Sequence, residues 1–205
     1  GVSTKEAFDY YASKEVAGDR APLSYGINAN LRKENGVIVE DVYRVGGKYS
    51  AALEQVVFWL NKAEKVAEND KQAVALRKLI EFYTTGDLRT WDDFNIQWVK
   101  ATEGDIDFIH GFVEVYNDPL GKRGSYESIV EINDFEASDR MKVMMQNAQW
   151  FEDNSPILPE HKKKEVKGIT YKVVNVAGES GDANPSTPIG VNLPNAQWIR
   201  AMHGS

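Results

Sequence analysis

The residues best equipped for chemistry lie on one candidate strand and one later loop. Between residues 106 and 116 the side chains alternate with a period of two, the spacing of a strand. Ile109, Gly111, Val113 and Val115 share one face; Phe108, His110, Phe112, Glu114 and Tyr116 share the other. A carboxylate beside a phenol on one face can bind an ammonium group with the first and stabilise a developing oxyanion with the second. Tyrosine donates one hydrogen bond without ionising, which suits that second task. The same spacing also fits a solvent-facing strand side with scattered polar residues. The loop group is Gly190, Asn192 and Asn195. Each carboxamide offers a donor and an acceptor, so two of them can clamp the amide and carbonyl of an extended peptide. Gly190 permits close approach of a ligand backbone, and an edge strand here would receive a peptide by strand addition. Ordinary turn chemistry explains Asn and Pro in this stretch equally well.

Several chemistries are excluded. The chain has no cysteine, which removes disulfides, thiolate zinc sites and a cysteine nucleophile. Its histidines are His110, His161 and His203; none forms the i, i+4 pair with which a helix grips zinc, and all three read as non-ligands. Gly178-Glu179-Ser180-Gly181 lacks the lysine and following helix of a phosphate loop, and no G-x-S-x-G elbow occurs. Net charge is −7, and the short basic run His161–Lys164 is followed at once by Glu165. Nucleic acid, which needs a basic stripe, is therefore not an expected partner. No apolar run is long enough to cross a bilayer, and the first residues lack a signal-peptide pattern, so no membrane partner is expected.

The elements that must position these groups follow from local pattern. Residues 1–22 read as a lead-in segment, and residues 23–205 as a single α+β domain. Leu23–Leu31 and Val37–Val45 predict a hairpin about Asn35-Gly36, a pair suited to positive φ. Tyr49, Leu53, Val56, Leu60 and Ala63 recur at helical spacing. A second helix is predicted over Lys71–Thr85 and ended by Gly86; Asp87 caps a third carrying Leu88, Trp91, Asn95 and Trp98. Aromatics at helical spacing are assigned to the core. Strands 106–116 and 125–132 form an antiparallel hairpin across the Asp118-Pro119-Leu120-Gly121 turn. Asp134 caps a helix running to Phe151, with Phe135, Met141, Met144, Met145 and Ala148 facing inward. Two more strands, 169–176 and 187–193, are expected on either side of a flexible connection over 178–185. The expected architecture is α+β: a helical layer packed on a small, mainly antiparallel sheet or partial β-barrel.

Two motifs carry a resemblance. The first is Glu114-Val-Tyr116-Asn-Asp118-Pro119-Leu-Gly121-Lys-Arg123-Gly124-Ser-Tyr-Glu127; the second is Pro188-Ile-Gly190-Val-Asn192-Leu-Pro194-Asn195. They resemble the E-x-Y-x-D-P-x-G-x-R-G-x-x-E and G-x-N-x-P-N motifs of the dipeptidyl peptidase III family, zinc exopeptidases of two lobes around a wide cleft. The likeness extends over residues 46–200. It implies that Glu114 binds the free N-terminal ammonium of an oligopeptide substrate and that Tyr116, the catalytic residue, donates to the scissile carbonyl as it becomes tetrahedral. Asn192 and Asn195 would hold the backbone of the first two residues, Gly190 would pair with the peptide as an edge strand, and Asp118, Pro119, Gly121, Arg123 and Gly124 would shape the turn. Asn117 and Leu120 depart from the arginine and phenylalanine frequent in eukaryotic relatives, which suggests a bacterial-type member. The family binds zinc through an H-E-x-x-G-H helix and a later glutamate, and no such motif occurs in these 205 residues. The resemblance therefore implies zinc in the full-length enzyme and none bound by this chain. It also implies the zinc-binding lobe of the parent chain as a partner, a cytoplasmic location and no catalysis by the isolated piece. Two other readings stay open: a metal-free module that captures peptide N-termini, and a structural domain whose motifs are turn chemistry.

Overall fold

Side chains that cap helix ends set the first boundaries. In the computed structural model of the chain, which describes residues 1–166 and 172–205, the lead-in is helix α1 (Thr4–Ala12). The Ser3 hydroxyl accepts from the Glu6 amide while the Glu6 carboxylate accepts from the Ser3 amide, so two orphan donors are satisfied at once. Buried Tyr11 seats the helix: Gly26, at φ 92°, approaches its ring so closely that a Cβ there would lie 2.7 Å away.

Strands β1 (Ala29–Glu34) and β2 (Val37–Val42) form the expected hairpin. Asn35 and Gly36 both take positive φ, 49° and 82°, the geometry that matches a tight turn to the twist of its strands. Residues 23–28, expected as strand, are instead consecutive turns, with bonds from the Ile27 amide to Ser24 O and from the Ala29 amide to Gly26 O. Positive φ at Gly26 breaks the extended run there.

Helices α2 (Ser50–Glu64), α3 (Asp70–Thr85) and α4 (Leu88–Lys100) build the helical layer. Asn69 caps α3, Gly86 ends it at φ 73° and Asp87 caps α4, as their residue types predict. The inward stripes meet in one core of Leu53, Leu76, Leu79, Phe82, Tyr83, Trp91 and Phe94. Phe82 sits 4.9 Å from Trp91 and 6.4 Å from Phe112, ring centre to ring centre. Half-buried Trp98 donates to Phe108 O at 2.8 Å and to Asp107 at 3.1 Å, tying α4 to the sheet. The expected assignment of these aromatics to the core holds.

Asp92 on α4 is a costly group in this layer. It is 1 % exposed; Arg89 reaches its Oδ2 at 3.2 Å, and among the described residues Oδ1 has no partner. Burial pushes its pKa up from 3.8 to about 7. The folded state then holds a proton that the unfolded chain releases above pH 4, so this contribution to stability is present below pH 4 and is lost as pH rises towards 7. Asp92→Asn is expected to raise the melting temperature at pH 8 relative to wild type by more than it does at pH 4. Thermal denaturation at the two pH values measures this.

Strands β3 (Ile106–Glu114), β4 (Ser125–Asn133) and β5 (Val174–Gly181) form an antiparallel sheet in the order β3-β4-β5. Its inner face, with Ile109 opposite Ile129, packs on α3 and α4 aromatics. The approach is close: a Cβ on Gly111 would lie 2.4 Å from the Trp91 ring. The fold is thus α+β with two small antiparallel sheets. Among the described residues neither closes into a barrel.

Three further expectations need correction. The helix predicted to reach Phe151 is two, α5 (Phe135–Gln146) and α6 (Ala148–Asn154), broken at Asn147 with φ −104° and ψ 12°. Its supposed inner side is open: Phe135 is 57 % exposed, Met144 is 46 %, and Met141, Met145 and Ala148 are only partly buried. Helical spacing shows which residues share a face, not whether anything covers it. Next, Gly178–Gly181 is not loop; it completes β5 by pairing with Val130–Glu127. Finally, residues 187–193 form no strand, and Pro188 lacks the amide a ladder would use. Residues 169–171 of the other expected strand lie outside the described residues. The chain closes on α7 (Gln197–His203), whose Ile199 is fully buried. Among the described residues no helix is long and apolar enough to cross a membrane.

Candidate functional site

The C-terminal end of β3 does not keep simple alternation. A bulge falls between Phe112, paired with Tyr126, and Glu114, paired with Ser125. Phe112 and Val113 are both buried, so the extra residue re-aims the side chains beyond it. His110 is thereby separated from Glu114, although the two share a face in the sequence pattern. It is half-buried beside the core, with the Tyr83 hydroxyl 2.8 Å from Nδ1 and the Tyr126 hydroxyl 3.3 Å from Nε2. Burial pushes its pKa down to about 4, so the imidazole is neutral near pH 7.

Beyond the bulge, the two motifs meet. Asn195 Nδ2 donates to Glu114 Oε1 at 3.3 Å and lies 3.5 Å from Val113 O. The loop that brings Asn195 there is anchored by buried Pro194, by Leu193 against the core and by Ile199 below. Gly190 and Asn192 are exposed on its outer stretch, and a Cβ on Gly190 would meet open space. Beside Asn195 a cavity of about 230 Å³ opens, walled by Trp91, Phe94, Trp98, Val113 and Leu193.

Tyr116 is 69 % exposed, and its hydroxyl donates to Asp182 Oδ2. Asn117 Nδ2 reaches the other oxygen of Asp182 at 3.2 Å and Ser125 Oγ at 3.2 Å. The intervening motif residues shape the turn. Asp118 Oδ2 accepts from the Leu120 and Lys122 amides at 3.2 and 3.1 Å, and Gly121 takes φ 61°. Arg123 lies 3.7 Å from Asp118 and hydrogen-bonds Asn30, pinning the turn to β1. Gly124 donates to Ile27 O at 2.8 Å in a space too tight for a Cβ.

Sequence reasoning missed two carboxylates here. Glu127 ends the first motif, yet its pattern gave it no role; it is 8 % exposed on β4, and among the described residues no donor reaches its carboxylate. Burial first, then the charges of Glu114 and Asp182, push its pKa up to about 7. Asp182 stands 66 residues from Tyr116 in a loop-like run, and no local signal marks it. Glu114, Glu127 and Asp182 together make a negative site around one phenol. Such a site attracts a cation and supplies one neutral hydrogen-bond donor beside it. Among the described residues no group of three or more His, Cys, Asp or Glu could hold a metal ion, so these residues do not fit zinc.

The sequence model of peptidase family M49 matches residues 19–205. Dipeptidyl peptidase 3 of Homo sapiens is 27 % identical over 158 residues, 77 % of this chain and 21 % of that protein. Dipeptidyl peptidase 3 of Dictyostelium discoideum is 28 % identical over 170 residues, 83 % of this chain and 24 % of that one. The solved structure of DPP III from Caldithrix abyssi superposes with a TM-score of 0.75 at 21 % identity, covering 98 % of this chain and 38 % of that one. That likeness shows the shared fold. The chain thus spans 21 to 24 % of the length of these two curated relatives.

Proposed function

Because the chain belongs to peptidase family M49, we propose that it is the substrate-binding part of a zinc-dependent dipeptidyl peptidase that removes dipeptides from the N-terminus of oligopeptides. The observation that carries this is the meeting of the two motifs, Asn195 Nδ2 3.3 Å from Glu114 Oε1, inside a negative site. Glu114 binds the peptide's free ammonium, and Asn195 orients that carboxylate. Asn192 and Asn195 hold the backbone of the first two residues, and Gly190 lets the peptide lie close along the loop. Tyr116 donates to the scissile carbonyl oxygen. Zinc supplies an activated water in such enzymes; its ligands, and the lobe that carries them, belong to the parent enzyme beyond these residues.

The purified 205-residue chain should therefore bind an oligopeptide with a free N-terminus and release no dipeptide, with or without added zinc. Chromatography of the incubated peptide reads this directly. Zinc-dependent release of dipeptides by this chain alone would overturn the assignment.

Proton linkage supplies a second check. Glu127 carries a proton for part of the time near pH 7 because burial, and then the charges of Glu114 and Asp182, raise its pKa. An ammonium entering the site favours its charged form and lowers its pKa, so binding at pH 7 is expected to release a fraction of a proton. Calorimetry in two buffers of different ionisation enthalpy measures it; equal apparent enthalpies would take Glu127 out of the site.

A further inference from the structure

Tyr116 has one proton to give, and in this structure it is already given. Its hydroxyl donates to Asp182 Oδ2, while Asn117, the next residue of the motif, donates to Asp182 Oδ1 at 3.2 Å. Both oxygens of Asp182 are thus engaged by neighbouring residues of the first motif.

The acceptor is fixed and the donor is free to turn. Asp182 donates its amide to Tyr126 O at 2.9 Å. Before it, Gly181 at φ 71° passes so close to Tyr126 that a Cβ would lie 2.1 Å from that carbonyl oxygen. After it, Ala183 is buried in the core. The Asp182 backbone is therefore held on both sides, whereas the Tyr116 ring is largely exposed.

We infer that Asp182 is a positioning residue that holds the Tyr116 hydroxyl in reserve, so that a neutral peptide carbonyl does not capture it and an oxyanion does. The inference rests on Tyr116 being the carbonyl donor of the proposed function. A carboxylate is a stronger acceptor than an amide carbonyl, so a bound substrate in its ground state competes poorly for the proton. As the carbonyl becomes tetrahedral its oxygen gains charge, and the competition becomes even. Tyr116 then donates in the transition state and not before, the condition under which an interaction accelerates the chemical step. Without Asp182 the phenol would bind ground state and transition state alike.

The charges around Tyr116 agree with this arrangement. Its pKa is pushed up to about 12, first by the bond to Asp182, then by burial and by the charges of Asp182, Glu114 and Glu127.

Tyrosine labelled with ¹³C at Cζ, in the whole 205-residue chain, reads the state of each phenol, and Tyr116→Phe identifies the Tyr116 signal. In the wild-type chain Tyr116 is expected to titrate well above a free phenol. Asp182→Asn, of nearly the same shape, is expected to bring that midpoint down towards the free phenol's and leave the other tyrosines unmoved, an effect a merely structural role for Asp182 would not single out. A saturating tetrapeptide is expected to leave the Tyr116 signal in place in the wild type and to shift it in Asp182→Asn. The inference is overturned if wild-type Tyr116 titrates like a free phenol, if Asp182→Asn leaves its midpoint unchanged, or if peptide shifts the signal equally in both chains. Peptide binding is followed separately by calorimetry. Failure to bind would remove the proposed function and with it the reserve role, while the titrations would still decide whether Asp182 holds Tyr116.

Discussion

Glu114→Gln weakens binding of an N-terminally free oligopeptide by about 30- to 160-fold, the loss of roughly 2–3 kcal/mol expected when a charge-assisted hydrogen bond is removed. Gln keeps the shape and can still accept from Asn195, which stands 3.3 Å from Oε1, so the loop carrying the second motif stays in place. What disappears is the charge that faces the ammonium. Acetylating the peptide N-terminus removes the other half of the same interaction and should cost the wild-type chain a similar factor. The two changes together should cost little more than either alone, because they delete one contact. Calorimetric titration of both peptides into both chains measures all four affinities. Additive losses would mean that Glu114 and the ammonium act independently, and the assignment of Glu114 would fall.

Phe82→Ala costs about 3–5 kcal/mol of stability, the usual penalty for truncating a fully buried aromatic. Phe82 is 0 % exposed and lies against Tyr83, Trp91 and Phe112, so the cavity left behind is walled by large rings that cannot all collapse into it. For a chain of this length the melting temperature should fall by roughly 6–20 °C. The effect should reach the site as well. Phe112 begins the β-bulge that turns Glu114 out of the core, and Phe82 supports Phe112. Denaturation by heat and by urea checks the first statement, and peptide affinity well below the new transition checks the second. A loss under about 1 kcal/mol, the scale of an ordinary surface substitution, would show that the helical layer does not brace the sheet at this point.

Residues whose effect is local were legible in the sequence. Asn35-Gly36 marked the hairpin, and Gly86 and Asp87 marked the end of one helix and the start of the next. Each depends on backbone dihedrals or hydrogen bonds within a few residues, which residue type governs directly. The two motifs named Glu114, Tyr116 and Asn195 as candidates. Two failures have local reasons that composition alone concealed: residues 23–28 turn at Gly26, and Pro188 withholds an amide from a ladder over residues 187–193. The face of α5 is apolar but uncovered, an outcome that depends on what lies opposite, and no local pattern carries that.

The same division runs through the site. By itself the sequence determined the two motifs, the alternation of β3 as far as Phe112 and the absence of cysteine, histidine-pair and phosphate-loop chemistry. The tertiary structure alone decided that a bulge at Val113 separates His110, held between Tyr83 and Tyr126, from Glu114, and that Asn195 closes on Glu114 across 81 residues. It also decided that Glu127 is buried facing two other carboxylates and that Asp182 holds the Tyr116 hydroxyl. Strand register, burial and charge–charge proximity are set by packing between segments distant in the chain. A side chain's chemistry depends on them as much as on its own type, because desolvation and neighbouring charge shift its proton affinity and one hydrogen bond commits its only donor.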